Sequence, residues 1–308
     1  MSAQFGDSPG KRVIREKWDT PILSHYRRHW NSLYFYSGMP GKLAIDILLW
    51  KDFIKRVFAF ESEINDETIV ELAKRLTLTG IRSTIYCGYF ENILIQRIDL
   101  RGVKYEQDEL ITLYNLDFND QITSKILAAD GRAKCLRFEA LQFVLNFQHQ
   151  VSQMLPTKRF ILLLTIKDQI HTSELNNFMR HRDIPQQIKE FNNAAKRFPR
   201  LSGEHTQQHT LLTKSFVFHT LRTYFKGHSI TSYFYPLVRY TGKTKKSSML
   251  HFAILCSFNS DGSALPEEPQ SASDFLRSIS YKVQRGAIVL SPIAPIENID
   301  TGRNNPNL

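Results

Sequence analysis

A chain of 308 residues with 42% apolar and 12% aromatic residues is long enough for two domains with hydrophobic cores, and this composition excludes wholesale disorder. The formal net charge of +10 favours a polyanionic partner, chiefly nucleic acid or an anionic membrane surface. Cys87, Cys135 and Cys256 are far apart and lie among apolar residues, which predicts reduced thiols and excludes a four-thiolate zinc site. Because we find no signal peptide and no apolar stretch long enough to span a bilayer, we expect a cytoplasmic protein without membrane contact.

The first 60 residues predict a polar arm followed by two long helices. Residues 1–19 are polar and mixed in charge, so we expect a flexible arm. A helix is predicted to start at Thr20-Pro21, because proline suits the first helical turn. Residues 43–60 carry apolar side chains near a period of 3.6, which predicts a second long helix.

Residues 65–107 are the most informative segment. Asn65 or Asp66 can cap a helix whose apolar positions include Leu72 and Leu76. After a short break at 77–80, a second helix is predicted over 82–92. A hairpin then follows, with its turn at Arg101-Gly102. A helix, a tight turn, a helix and a basic hairpin, in this order, indicate a winged helix-turn-helix.

This interpretation assigns a set of DNA-binding residues. Polar and basic side chains at the start of the second helix would enter the major groove and read base edges, while cations on the first helix and the hairpin would contact phosphates. The second-helix residues are Arg82, Ser83, Thr84 and Tyr86, the first-helix residues are Lys74 and Arg75, and the hairpin residues are Arg97, Arg101 and Lys104. A second basic loop adds Lys243, Lys245 and Lys246 beside an aromatic residue, which suits a phosphate backbone.

The second half of the chain predicts mixed structure. Residues 160–166 form an apolar run compatible with a helix or a strand, and short helices are predicted over 174–179 and 185–197. This repeats the helix-turn-helix order and indicates a second, degenerate winged-helix-like domain. Residues 229–258 predict a β-hairpin that carries the basic loop. The predicted fold class is therefore mainly α with small β-hairpins (α+β), divided into an arm at 1–19, a helical domain at 20–155, a second domain at 156–259 and a mostly flexible tail at 260–308.

Three stretches together resemble bacterial winged-helix regulators of the MarR type: Ile69-Val-Glu-Leu-Ala-Lys-Arg-Leu76, Ile81-Arg-Ser-Thr-Ile-Tyr86 and Leu94-Ile-Gln-Arg-Ile-Asp-Leu-Arg-Gly102. The resemblance covers about 40 of the 308 residues. It departs from the family pattern near Leu94, where a glycine is expected, and at Gly88, which lies inside the predicted second helix. The resemblance implies a cytoplasmic, homodimeric transcriptional regulator that binds double-stranded DNA.

Enzyme signatures are incomplete in this sequence. Gly242-Lys243-Thr244 resembles the end of a phosphate-binding loop, but Leu237 stands where that loop needs its first glycine. The pairs His25/His29 and His205/His209 have metal-ligand spacing without a third ligand. We therefore predict no catalytic residues, no metal, no cofactor and no enzymatic activity. Two alternatives to a transcriptional regulator stay open, a plasmid-type replication initiator with two winged-helix domains and a scaffold that uses winged helices to bind proteins.

Overall fold

The computed structural model describes residues 8–107, 109–127, 131–152, 158–180, 204–242, 248–258, 275 and 280–290. Its α-helices are α1 (Pro9–Ile14), α2 (Thr20–Trp30), α3 (Ile45–Leu49), α4 (Asp66–Leu78), α5 (Phe90–Gln96), α6 (Arg137–Ser152), α7 (Thr172–Met179) and α8 (Glu204–Gly227). A π-helical turn at Arg15–Asp19 joins α1 to α2, and a 3-10 turn at Lys51–Phe53 follows α3.

The strands are β1 (Tyr34–Gly38), β2 (Ile54–Glu61), β3 (Arg82–Cys87), β4 (Leu113–Asp117), β5 (Ile126–Leu127), β6 (Ala133–Lys134), β7 (Arg159–Lys167), β8 (Ile230–Phe234), β9 (Val238–Thr241), β10 (Ser248–Phe258), β11 (Tyr281–Gln284) and β12 (Ala287–Leu290). All but β5 and β6 belong to one sheet, in the order β12-β11-β9-β10-β7-β4-β1-β2-β3, and β8 also pairs with β10. Strands β3, β2, β1, β4 and β7 are mutually parallel, whereas β10 runs antiparallel to β7.

Helices cover both faces of this sheet, as a parallel sheet requires. One core contains side chains of α5, α6 and α8 against one face, and a second contains side chains of α2, α3 and α4 against the other. Because side chains alternate along each strand, Tyr114 and Leu116 enter the first core while Leu113 enters the second. The architecture is therefore a doubly wound α/β sheet with an antiparallel part at one side.

The predicted fold class, mainly α with winged helix-turn-helix domains, is wrong. Residues 43–60 contain only the short α3 and the 3-10 turn before they form β2, and 82–87 form β3 instead of a helix. Strands buried on both faces have continuous apolar runs, which periodicity alone does not distinguish from a buried helix. Among the described helices, none is both long and apolar enough to cross a membrane.

Several local predictions are confirmed. Helix α2 starts at Thr20-Pro21, and α4 is capped by the Asn65 side chain, which accepts a 2.7 Å hydrogen bond from the Thr68 amide. The antiparallel pairing expected within 229–258 also forms, as β8 and β9 against β10.

Two observed features concern the predicted division of the chain into an arm and two domains. Residues from Pro9 to Asp19, expected to belong to a flexible arm, are helical. Strand β4, from the expected helical domain, pairs along its length with β7, from the expected second domain.

Candidate functional site

The carboxyl ends of the five parallel strands meet along one edge of the sheet. From β1 the chain moves outward to β2 and then β3, and it returns to the other side of β1 with β4. The strand order thus reverses between β1 and β4. In open α/β sheets, ligands bind in the crevice outside the carboxyl ends of the strands at such a reversal. The ends of β1, β2 and β4 are therefore the expected position of a ligand site.

Gly38 ends β1 at the reversal and has a neighbour on β4 that leaves no room for a side chain. It is the register partner of Asn115, and the Met39 amide donates a 3.2 Å hydrogen bond to the Asn115 carbonyl. A Cβ atom on Gly38 would lie 2.4 Å from that carbonyl oxygen and 2.8 Å from the Tyr36 hydroxyl. The chain therefore needs glycine here for close backbone approach.

A buried carboxylate lies behind this glycine. Asp46, on α3, is fully buried and accepts hydrogen bonds at Oδ2 from the Tyr36 hydroxyl and, at 2.6 Å, from the Asn115 amide. Burial, and then the nearby Asp46 charge, hold the pKa of Tyr36 well above its ordinary value, so this hydroxyl stays a donor. Within the described residues, the second oxygen of Asp46, Oδ1, is buried and has no hydrogen-bond partner.

Glu61 ends β2, the strand next to β1. Its side chain is almost buried, and Oε1 accepts a 2.9 Å hydrogen bond from the Glu63 amide. Burial raises the pKa of Glu61, and the Glu63 amide only partly offsets this effect. The Glu61 carbonyl accepts a 2.8 Å hydrogen bond from Gly88, which fixes the turn after β3 beside it. Glu61 therefore presents a carboxylate of fixed position at the crevice.

Asp117 ends β4 on the other side of the reversal. The Lys11 ammonium, which comes from α1, lies 2.6 Å from Asp117 Oδ2 and donates a 2.8 Å hydrogen bond to the Asn119 side chain. Asp120 follows, and although burial alone would raise its pKa, hydrogen bonds from the Ser124 hydroxyl and the Gln121 amide lower it on balance. The turn after β4 thus holds two carboxylates and one ammonium.

A buried row of polar side chains continues from Asp117 across the sheet. Thr165 is the register partner of Asp117 on β7, and His251 is the partner of Thr165 on β10. His251 Nδ1 lies 2.8 Å from the Thr165 hydroxyl, and Nε2 lies 2.8 Å from Asp19 Oδ1. The π-helical turn that carries Asp19 is therefore bound to the carboxyl edge of the sheet.

A buried ion pair supports the turn after β4. Arg137 Nε lies 3.0 Å from Glu91 Oε1, the guanidinium also donates to the Gln121 carbonyl, and it lies 4.7 Å from the centre of the Phe118 ring. Both charged groups are almost fully buried. This pair therefore positions the 118–121 turn.

The structure does not bring the predicted DNA-reading residues to a helix. Arg82, Ser83, Thr84 and Tyr86 are all in β3, where 82–87 pair with 56–61 of β2, and Tyr86 is buried. Lys74 and Arg75 lie on α4, where Arg75 forms a 2.7 Å ion pair with Glu71. Lys243, Lys245 and Lys246 lie outside the described residues.

The predicted hairpin exists in a reduced form. Ile98 and Lys104 form a single antiparallel bridge, and Gly102 turns the chain with φ +81. Arg97 lies over the Phe147 ring at 3.7 Å, and Arg101 pairs with Asp99 at 3.1 Å. The hairpin is therefore a loop attached to the end of β3 and has no recognition helix beside it.

Sequence reasoning missed the residues at the carboxyl edge. A signal was present, because three largely apolar or aromatic stretches end at a glycine or an acid: 34–36 before Ser37-Gly38, 57–60 before Glu61, and 113–116, interrupted by Asn115, before Asp117. Such runs are typical of parallel strands that end at a ligand site. The partners Lys11, Asp19 and His251 had no comparable signal, since they are brought to this edge only by the folded chain.

No family model matches this chain, and no curated protein matches it. Solved structures with similar folds include TYW2 of M. jannaschii in complex with AdoMet, at 10% identity and TM-score 0.40 over 82% of this chain and 78% of that one. Trm5b of Pyrococcus abyssi has 9% identity and TM-score 0.43, and the match covers 83% of this chain but only 52%, about half, of that protein. The O-methyltransferase TomG of Streptomyces achromogenes in complex with SAM has 9% identity and TM-score 0.36, over 82% and 91%.

These findings correct the functional predictions. The resemblance to MarR-type regulators is wrong, because residues 82–86 of its central motif are a strand of a large sheet and not the start of a recognition helix. Sequence-specific binding of double-stranded DNA, transcription regulation, the homodimer that they implied, and the replication-initiator and scaffold alternatives all required winged helices and are withdrawn. The prediction of a protein without enzymatic activity is corrected as well, since the sheet has the crevice in which α/β enzymes bind their ligands.

Proposed function

We propose that this chain binds the nucleoside cofactor S-adenosylmethionine at the carboxyl edge of β1 and β2 and is a methyltransferase. The observation that carries the proposal is the position of Glu61. A carboxylate about 20 residues beyond the glycine turn of the first strand, at the end of the second, is the group that binds ribose hydroxyls in doubly wound folds. Glu61 stands in this position relative to Gly38, and its backbone is fixed by Gly88.

The charge of the crevice favours this cofactor over a dinucleotide. Two carboxyl groups, those of Asp46 and Glu61, lie at the ends of β1 and β2, whereas the carboxylates after β4 are balanced by Lys11, Arg137 and Lys167. A pyrophosphate would be repelled by such a set, whereas the sulfonium and ammonium of S-adenosylmethionine would be attracted. The buried Oδ1 of Asp46, which lacks a partner among the described residues, is an acceptor suited to a cationic group.

The turn after β1 supports the same distinction. It reads Gly38-Met39-Pro40-Gly41, so it lacks the three-glycine pattern that brings a pyrophosphate onto a helix N-terminus. The helix that follows, α3, has five residues and begins after Ala44, whose side chain offers no cap. This turn therefore fits a ligand without phosphates.

The residues present fit S-adenosylmethionine, and each has a separate role. When bound, this cofactor supplies a methyl group on a positively charged sulfur, and a nucleophile takes the methyl group from that sulfur. Glu61 would accept hydrogen bonds from the ribose hydroxyls and set the position of the nucleoside. Gly38 lets the end of β1 lie close against β4 beneath the crevice, and Asp117 stands where it can take a proton from an incoming nucleophile.

Isothermal titration with S-adenosylmethionine tests the proposal, with NAD as the competing dinucleotide. We expect the wild-type chain to bind S-adenosylmethionine and not NAD. Glu61→Gln should weaken binding about 10- to 100-fold, because hydrogen bonds to a charged acceptor are replaced by weaker ones. Glu67→Gln, an exposed carboxylate on α4, is the matched control and should bind as the wild type does. Binding of NAD alone, or equal binding by both variants, would overturn the proposal.

We also propose a reducing, cytoplasmic location. Cys87, Cys135 and Cys256 are all free thiols, and burial raises the pKa of each. Such thiols are protected from oxidation mainly by being protonated and covered. Mass determination of alkylated protein purified without reductant tests this, since an intermolecular disulfide would contradict it.

A further inference from the structure

The Lys11 side chain is positioned unlike an ordinary surface lysine. Its ammonium contacts both the Asp117 carboxylate and the Asn119 side-chain oxygen, at 2.6 and 2.8 Å, and the Lys11 side chain is only 19% exposed. The helix that carries it is fixed on both sides. Ser8 caps α1, and Gly10 packs against the Tyr240 ring so closely that a Cβ would lie 2.6 Å from it. Lys11 is therefore held at the end of β4 by the fold.

The end of β4 is one side of the strand reversal, and the end of β1 is the other. Asn115, two residues before Asp117, bonds directly to the chain after Gly38. An ammonium at Asp117 consequently lies beside the crevice assigned above to the cofactor. Asp117 Oδ1 is buried and has no hydrogen-bond partner among the described residues, so the carboxylate retains an oxygen that can accept a proton.

We propose that Lys11 is a methyl acceptor, so that the chain methylates its own Nζ at this position. The inference rests on the proposed function, since S-adenosylmethionine is the methyl donor. A primary amine held by a carboxylate and an amide oxygen is both oriented and provided with a base. The Asp117 carboxylate and the Asn119 side-chain oxygen would bind a primary amine, so we infer that primary amines are the substrate class of the site.

The transfer balances with the groups named. The Lys11 ammonium first gives a proton to the Asp117 carboxylate, which leaves a lone pair on nitrogen. The nitrogen then forms a bond to the methyl carbon while the carbon–sulfur bond breaks, and that electron pair stays on sulfur. The products are a methylated lysine ammonium and the neutral thioether S-adenosylhomocysteine.

Mass spectrometry after incubation with trideuteromethyl-labelled S-adenosylmethionine tests the modification. We expect the label on the peptide that contains Lys11 and not on Lys17, whose ammonium contacts the Gly286 carbonyl. The rate should not depend on protein concentration, because the acceptor and the site belong to one chain. Lys11→Arg keeps the positive charge beside Asp117 and should abolish the label. Asp117→Asn should slow labelling at least about 10-fold, and Glu16→Gln, an exposed control on the same segment, should not.

A second readout does not require turnover. In a chain with ¹⁵N-labelled lysine, S-adenosylhomocysteine, which has no methyl to give, should shift the ammonium signal of Lys11 and leave that of Lys17 unchanged. If S-adenosylmethionine binds but Lys11 gains no label and its signal does not move, the inference is wrong while the proposed function stands. If S-adenosylmethionine does not bind at all, the proposed function fails first. A label spread evenly over exposed lysines would also overturn the inference.

Discussion

Asp19 and His251, 232 positions apart in the chain, meet at 2.8 Å in the interior. Nε2 of His251 contacts the Asp19 carboxylate, and Nδ1 of the same ring lies 2.8 Å from the Thr165 hydroxyl. The three groups are all almost fully buried. This chain of hydrogen bonds joins the segment before α2 to β10 and β7, beside the proposed site.

Replacing His251 by alanine should destabilise the protein strongly. Asp19 would then be left buried without this hydrogen-bond partner, and an unsatisfied buried group typically costs about 1–3 kcal/mol of unfolding free energy, more when it is charged. Urea denaturation measures the loss, and hydrogen exchange should show that the amides of 9–19 lose protection first. His25→Ala, at an exposed position on α2, is the control. A loss equal to that of the control would contradict the role assigned to His251.

Gly38→Ala should reduce both stability and cofactor binding. The new Cβ would lie 2.4 Å from the Asn115 carbonyl oxygen, so β1 and β4 must separate. Overpacking of this kind costs about 1–3 kcal/mol. Gly227→Ala, where no atom lies within 4 Å of the new Cβ, should change the unfolding free energy little. Equal stability of the two variants, measured by urea denaturation, would show that the strands are not in this close contact.

Asp99 should hold the loop between α5 and β4. Its carboxylate accepts hydrogen bonds from the amides of Cys87, Arg101 and Val103 and from the Arg101 guanidinium. Burial would raise the pKa of Asp99, but these donors outweigh it and lower the pKa below the ordinary value of 3.8. The stabilisation is therefore complete above that value and is lost as the pH falls through the lower, folded-state pKa.

Asp99→Ala should cost about 2–4 kcal/mol, because three amides lose an ionised acceptor. In limited proteolysis, the variant should then be cut within the exposed 97–104 loop, and the wild type should not be cut there. Asp52→Ala, an exposed carboxylate in the 3-10 turn, should leave the cleavage pattern unchanged. Resistance of both variants to cleavage would mean that other contacts hold this loop.

The sequence predicts those features of the fold that depend on residues close together in the chain. The start of α2 at Thr20-Pro21, the Asn65 cap of α4 and the turn at Gly102 follow from neighbouring residues, and these predictions are correct. The segment Arg82–Cys87 is predicted to begin a helix over 82–92, because Ile85, Tyr89 and Ile93 are spaced by four. It is a strand because β2 provides a hydrogen-bonding partner along its whole length, and that partner is not visible in the local sequence.

The candidate site could be predicted from the sequence only in part, because its residues are distant in the chain. Glu61 and Asp117 can be noticed as acids that end apolar runs, but their meeting at one edge depends on the strand order. If residues 54–60 are predicted to be a helix, the carboxyl ends of the strands cannot be aligned and no crevice is predicted. The contact of Lys11 with Asp117 spans more than 100 residues and has no sequence pattern at all.

Glu61 should make stability depend on pH in a defined direction. Its pKa is raised in the folded state above the ordinary 4.5, so ionisation of Glu61 favours the unfolded chain. Glu61→Gln removes this effect. Relative to the wild type, the variant should therefore gain stability as the pH rises above the pKa of Glu61 in the unfolded chain. Below that pKa the gain should vanish. Unfolding free energies of both proteins at about pH 4 and about pH 8 measure this, and a difference independent of pH would contradict it.

The most direct test of the account is a crystal structure of the chain with S-adenosylhomocysteine, which has the nucleoside of the proposed cofactor without its reactive methyl. We expect both ribose hydroxyls to donate to Glu61, the ligand to pass Gly38, and its sulfur to point towards the end of β4 and Lys11. A nucleoside bound elsewhere, or bound at this edge with its ribose away from Glu61, would contradict the account.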